Sequence, residues 1–125
     1  MESITQRRLL WSKERRIEMI NLWQGSLQYC YRVFDEVEQF PQGVSLGIDQ
    51  QLKDSALAIS DQIARGSNAV DRNEFQEAID SSVAKLKETV AHLYLAHKWK
   101  YITDEKFGKL YQESKTLMSG IQLFQ

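Results

Sequence analysis

Cysteine occurs once in this chain of 125 residues, as Cys30. One thiol cannot close an internal disulfide, so packing and hydrogen bonds must hold the fold. Cys30 lies one position off an apolar stripe with no base beside it in sequence, the pattern of a packed thiol in a reducing cytoplasm rather than of a nucleophile. Proline also occurs once, as Pro41, and glycine six times, so few residues interrupt long helices. No apolar run approaches the ~20 residues of a membrane span, and no secretory segment opens the chain, which predicts a soluble cytoplasmic protein.

Chemistry-bearing residues are equally scarce. The only histidines are His92 and His97. Five residues apart on a helix, they point about 140° away from each other, whereas metal-ligand pairs sit three or four apart. There is no Glu-x-x-His pair, no glycine loop to cradle phosphate and no Gly-x-Ser-x-Gly elbow. Asp35/Glu36 and Asp104/Glu105 are adjacent and diverge, so neither serves as an acid/base pair. No set of residues supplies nucleophile, base and charge stabiliser together. The expectation is a non-enzyme with no catalytic residues, no metal and no cofactor.

What is present is helical periodicity over the length of a single domain, residues 1–125. Phe40-Pro41-Gln42-Gly43, Gly66-Ser67-Asn68 and Lys100-Tyr101-Ile102-Thr103 divide the chain into four segments. The first runs from about Ile4 to Glu38, with Ile17, Ile20, Trp23, Leu27, Tyr31, Phe34 and Val37 three or four apart as the expected core face. The second runs from about Ser45 to Ala64 on Leu52, Ala56, Ile59 and Ile63, with Gly66 as the expected stop. The third starts at Asp71, with Glu74 as the acidic half of a capping box, and follows Phe75, Ile79, Val83, Leu86, Val90, Leu93 and His97 to about Lys98. The fourth begins at Thr103 and follows Phe107, Leu110, the stem of Lys115, Leu117 and Ile121. No segment alternates with period two. Short loops between long amphipathic helices predict an all-α, up-down-up-down four-helix bundle.

The net charge is −1 but unevenly spread. Residues 1–19, a basic N-terminal extension of helix one, hold five bases against three acids, a local +2; the remainder holds eleven against fourteen, or −3. Such a strip is either a solvated helix face or a dock for phosphates or an acidic partner. Tyr94, Trp99 and Tyr101 gather near His97, Lys98 and Lys100, where they could stack on nucleotides or plug the end of the bundle. Trp11 does not fit the core stripe and is a candidate subunit contact.

Leu22-Trp23-Gln24, Phe40-Pro41, Gln51-Leu52-Lys53 with Ala56, Ile59, Ile63, Ala64 and Gly66, Glu74-Phe75 with Leu86 and Glu88, and Tyr101-Ile102-Thr103 with Glu105 and Phe107 occur in the order of a known pattern. The chain resembles, over about residues 20–125, the bacterial four-helix-bundle proteins of the 23S rRNA-intervening sequence family, a pattern shared with the accessory variability determinant proteins of diversity-generating retroelements. It departs from that pattern in helix two, where Asp54, Ser60, Gln62 and Arg65 replace a basic residue, a proline, an asparagine and a glutamate, and in helix three, where Ala84-Lys85 replaces Gly-Ser. The resemblance implies a homopentameric ring that binds nucleic acid (RNA or DNA) or a nucleic-acid enzyme such as a reverse transcriptase. The expected nucleic-acid contacts are Arg7, Arg8, Lys13, Arg15, Arg16, Lys53 and Arg65, acting on phosphates rather than bases. The alternative is a protein-binding adaptor or scaffold with no nucleic-acid role.

Overall fold

The computed structural model describes residues 12–43 and 47–125. Ser12 opens the first described helix, α1 (Lys13–Val37). Its side chain accepts from the Arg15 N–H at 3.1 Å, filling one of the donors a helix start leaves bare. The expected start at Ile4 lies outside the described residues. α1 ends where the Gln39 and Phe40 N–H groups turn back to the Glu36 and Val37 carbonyls at 3.1 and 3.0 Å, just before Pro41, whose ring cannot continue a helix.

α2 (Ile48–Ser67) follows Gly47, which sits at φ 65°. Gly66 is not its stop, as its conformational freedom had implied. It lies buried inside the last turn, where an added Cβ would touch that of Ala78 at 3.4 Å. The helix is terminated instead by Asn68, whose side-chain amide donates to the Ala64 carbonyl at 3.0 Å. α3 (Arg72–Lys98) starts with the expected reciprocal cap. Asp71 accepts from the Glu74 N–H at 2.8 Å, and the Glu74 carboxylate accepts from the Val70 N–H at 3.1 Å. At its far end Lys100 adopts φ 63° while the Tyr101 N–H reaches back to the Ala96 carbonyl at 2.9 Å, a closure usually built on glycine. α4 (Asp104–Gln122) opens on Thr103, which accepts from the Lys106 N–H at 3.2 Å.

Each helix packs on its neighbours in sequence, and α4 closes against α1. Lys53–Glu38 (2.9 Å), Thr89–Ser55 (2.8 Å), His97–Asp104 (2.7 Å) and Arg32–Glu113 (3.1 Å) each pair adjacent helices. They fix an antiparallel up-down-up-down bundle. Among the described residues there is no strand. The core holds Met19, Val33, Leu52, Ile59, Ile63, Ile79, Leu86, Leu93 and Ile121, each almost fully buried, and each such side chain contributes about 1.5–3 kcal/mol by leaving water. The α3 stripe matches expectation at Phe75, Ile79, Val83, Leu86 and Leu93. On α4, Leu110, Leu117 and Ile121 are buried but Lys115 is exposed.

The core also contains paired hydroxyls. Ser114 gives its proton to the Leu110 carbonyl at 2.8 Å, so in its 2.7 Å contact with Tyr29 the phenol is the donor. Burial pushes the Tyr29 phenol up to about 12, because a phenolate would lose its hydration there.

α1 differs most from expectation. Its core face is Met19, Ser26, Tyr29, Cys30, Val33 and Val37. Of the predicted stripe only Val37 is buried, and Ile17, Ile20, Trp23 and Tyr31 face solvent. Both stripes have three/four spacing, so periodicity alone could not choose between them. The true one contains Ser26 and small residues that read as less apolar, yet Ser26 satisfies itself on the Trp23 carbonyl at 2.6 Å and packs fully buried.

Candidate functional site

The displaced stripe creates the first candidate surface. Ile17, Ile20 and Tyr31 are 50%, 53% and 61% exposed. Trp23 and, on α2, Leu57 are also exposed. Several large apolar side chains exposed along one helix mark an interaction face rather than a solvated one. Arg16, Ile20 and Trp23 of α1 line a groove of about 480 Å³ with Ala64 and Ser67 of α2 and Asn68 just beyond it.

The predicted phosphate contacts do not converge on one place. Arg7 and Arg8 lie outside the described residues, as does Trp11. Lys13, Arg16 and Arg65 are exposed. Arg16 rims the groove beside Ala64, the neighbour of Arg65. Arg15 is engaged within the chain, its guanidinium 4.2 Å from the centre of the Phe124 ring and 3.4 Å from Glu18. Lys53 is engaged too, 2.9 Å from Glu38 and 5.5 Å from the Phe34 ring centre. It also lies twelve residues before Arg65 on α2, about 18 Å away along the helix axis. Lys13, Arg16 and Arg65 therefore share one end of the bundle, with Lys53 at the other.

The aromatic cluster expected near the end of α3 divides in two. Tyr101 is half-buried against Phe40, ring centres 5.6 Å apart, with the exposed Trp99 edge-on to it. This is the plug arrangement. Tyr94 points elsewhere, to Phe107 at 5.2 Å and Tyr111 at 5.8 Å on α4. His97 stacks on Phe107 at 4.3 Å and 11°, and its Nε2 meets Asp104 at 2.7 Å. Hydrogen bonding to Tyr111 raises the Tyr94 phenol above its usual range. Lys115 Nζ lies 5.8 Å from the Tyr111 ring centre. Beside this ladder a groove of about 370 Å³ runs between α3 and α4, lined by Lys87, Val90, Tyr111, Lys115 and Met118 among others. Sequence reasoning missed Lys87, Phe107 and Tyr111 as surface partners, because they meet only when α3 and α4 pack. The one available signal was their shared three/four spacing on adjacent segments.

Chemical reactivity is sparse. Cys30 is buried, and burial followed by the nearby Asp61 charge pushes its thiol up. That leaves it less nucleophilic than a free cysteine. Among the described residues no group of three or more His, Cys, Asp and Glu side chains is placed to hold a metal ion. Nor is any helix among them long and apolar enough to cross a membrane.

Four antiparallel helices around an aliphatic core define an all-α four-helix-bundle protein. The model of the family described as 23S rRNA-intervening sequence protein matches residues 18–122. The chain belongs to that family. A crystal structure of an S23 ribosomal protein family member from Bacteroides thetaiotaomicron VPI-5482, itself of unknown function, shares the fold with a TM-score of 0.77 at 18% identity. The match covers 84% of this chain and 95% of that one. No curated protein matches the chain.

Proposed function

We propose that this protein is a non-enzymatic cytoplasmic accessory module. It assembles with copies of itself, as the homopentamer its family resemblance implies, and engages nucleic acid or a nucleic-acid enzyme such as a reverse transcriptase. The observation that carries the reading is the solvent-facing stripe Ile17, Ile20, Trp23 and Tyr31 on a helix whose opposite face already fills the core. A small bundle gains stability by burying such a face against a copy. Lys13, Arg16 and Arg65 flank it and are exposed, free to meet phosphates; Arg15 and Lys53 are drawn into ion pairs and ring contacts of the chain itself.

Light scattering tests the assembly. The wild type is expected to run as an oligomer and Ile20→Glu, which plants a charge in the stripe, as a folded monomer. A monomeric wild type at micromolar concentration would remove the assembly. For the second half, RNA and DNA binding is titrated against salt, with Arg16→Ala/Arg65→Ala expected to weaken it. Absence of binding even at low salt, where phosphate contacts are strongest, removes the nucleic-acid role. The occupied state of Arg15 and Lys53 then favours the adaptor reading, in which the stripe receives a protein partner.

A further inference from the structure

We infer that the α3–α4 face is a second binding surface, one that takes single-stranded nucleic acid by stacking its bases on an aromatic ladder and holding its phosphates on Lys87 and Lys115. The inference rests on the nucleic-acid half of the proposed function but on residues remote from those named there. An exposed aromatic ring and positive charge outside any ion pair each point to this ligand. Four rings, Tyr94, His97, Phe107 and Tyr111, contact one another across the two helices, and Tyr94 is half exposed. Tyr94 thus keeps half of its surface in water while its ring neighbours on α4 hold it in place.

The groove that continues from Tyr111 is lined by two ammonium groups, Lys87 and Lys115, and by no carboxylate. Acids on the same two helices are already paired with other cations: Glu88 with Lys85, Glu105 with Lys109 and Glu113 with Arg32. Neither Lys87 nor Lys115 is in an ion pair with any described residue. The groove thus offers two ammonium groups outside any ion pair beside Tyr111 and, next to it, the half-exposed Tyr94, which suits an anion that also carries a flat ring. Gly108, one turn before Tyr111, adds room, since a Cβ there would meet nothing within 4 Å.

The arrangement favours a strand over a lone nucleotide because it is open and long. From Phe107 to Met118 it follows α4 for about 16 Å. The ladder lies at one end and the lysine groove at the other, rather than both enclosing one base. Bases of any identity stack on such a platform, so the expected recognition is tolerant of sequence.

Fluorescence anisotropy with short labelled oligo(dT) and oligo(U) tests this on the full chain. Tyr94→Ala is expected to weaken binding about tenfold or more with unchanged helical circular dichroism, and Tyr94→Phe, which keeps the ring, to restore it. Lys87→Ala/Lys115→Ala is expected to reduce the slope of log affinity against log salt by about 1.4, or about 0.7 for each lost phosphate contact. Strand binding that ignores all three variants but falls with Arg16→Ala/Arg65→Ala overturns this surface and leaves the proposed function standing. Equal affinity for a mononucleotide, or preference for a duplex, also overturns it. If no oligonucleotide binds at low salt, this surface and the nucleic-acid half of the proposed function fall together, and the assembly half stands on its own test.

Discussion

Tyr29 places an ionisable group in the core. Its phenol is 2% exposed, donates to Ser114 and has a pKa raised from 10.0 to about 12 by burial. A phenol whose folded pKa is raised stabilises the fold fully below its unfolded pKa. That stabilisation is lost as pH climbs from 10 towards 12. Two units correspond to about 3 kcal/mol. Urea unfolding at pH 8 and pH 12 is therefore expected to show the wild type losing about that much more stability than Tyr29→Phe. At pH 8 the variant is expected to be the weaker protein by about 1 kcal/mol, because Ser114 loses its donor. Parallel losses in the two proteins would mean that the phenol ionises without opening the core.

The elements show where sequence suffices and where it does not. The caps of α3 and α4 were legible because Asp71, Glu74 and Thr103 act on amides three or four residues away. The core stripes of α2 and α3 were legible because each of those helices has one dominant apolar face. α1 has two, and only the positions of α2 and α4 decide which is buried. Gly66 misled for a related reason: a glycine near a helix end reads as a stop, but this one lies where α2 and α3 approach. Its added Cβ would make contacts of 3.4 to 3.7 Å with Ala78, Ile79 and Phe75, which is ordinary packing distance. Gly66→Ala is accordingly expected to raise stability by roughly 0.5–1 kcal/mol through helix propensity, read as a higher midpoint in thermal or urea unfolding. A lower midpoint would show that the helices cannot yield there. The basic residues were legible as a composition but not as a site. Which of them are spent on Phe124, Glu18, Glu38 and Phe34 depends on contacts the sequence does not print, and so do the partners of Tyr94.

At the scale of the molecule, the chain visits the four described helices in the order in which they surround the core, and the last of them closes on the first. The closing seam also brings the two ends of the described bundle together: Arg15, in the first turn of α1, lies 4.2 Å over the ring of Phe124, just past α4. The connectivity is thus a closed circuit, and the place where the polypeptide happens to be cut is incidental to what holds it. A rearranged gene that opens the chain at Pro41–Gly43 and joins Gln125 to Met1 is expected to yield the same helical content and one cooperative melt, since exposed turns tolerate such reordering. A permuted chain that fails to melt cooperatively would mean that the α1–α2 turn is itself required to assemble the bundle. If it succeeds, the order of the helices in the gene is separable from their order around the core.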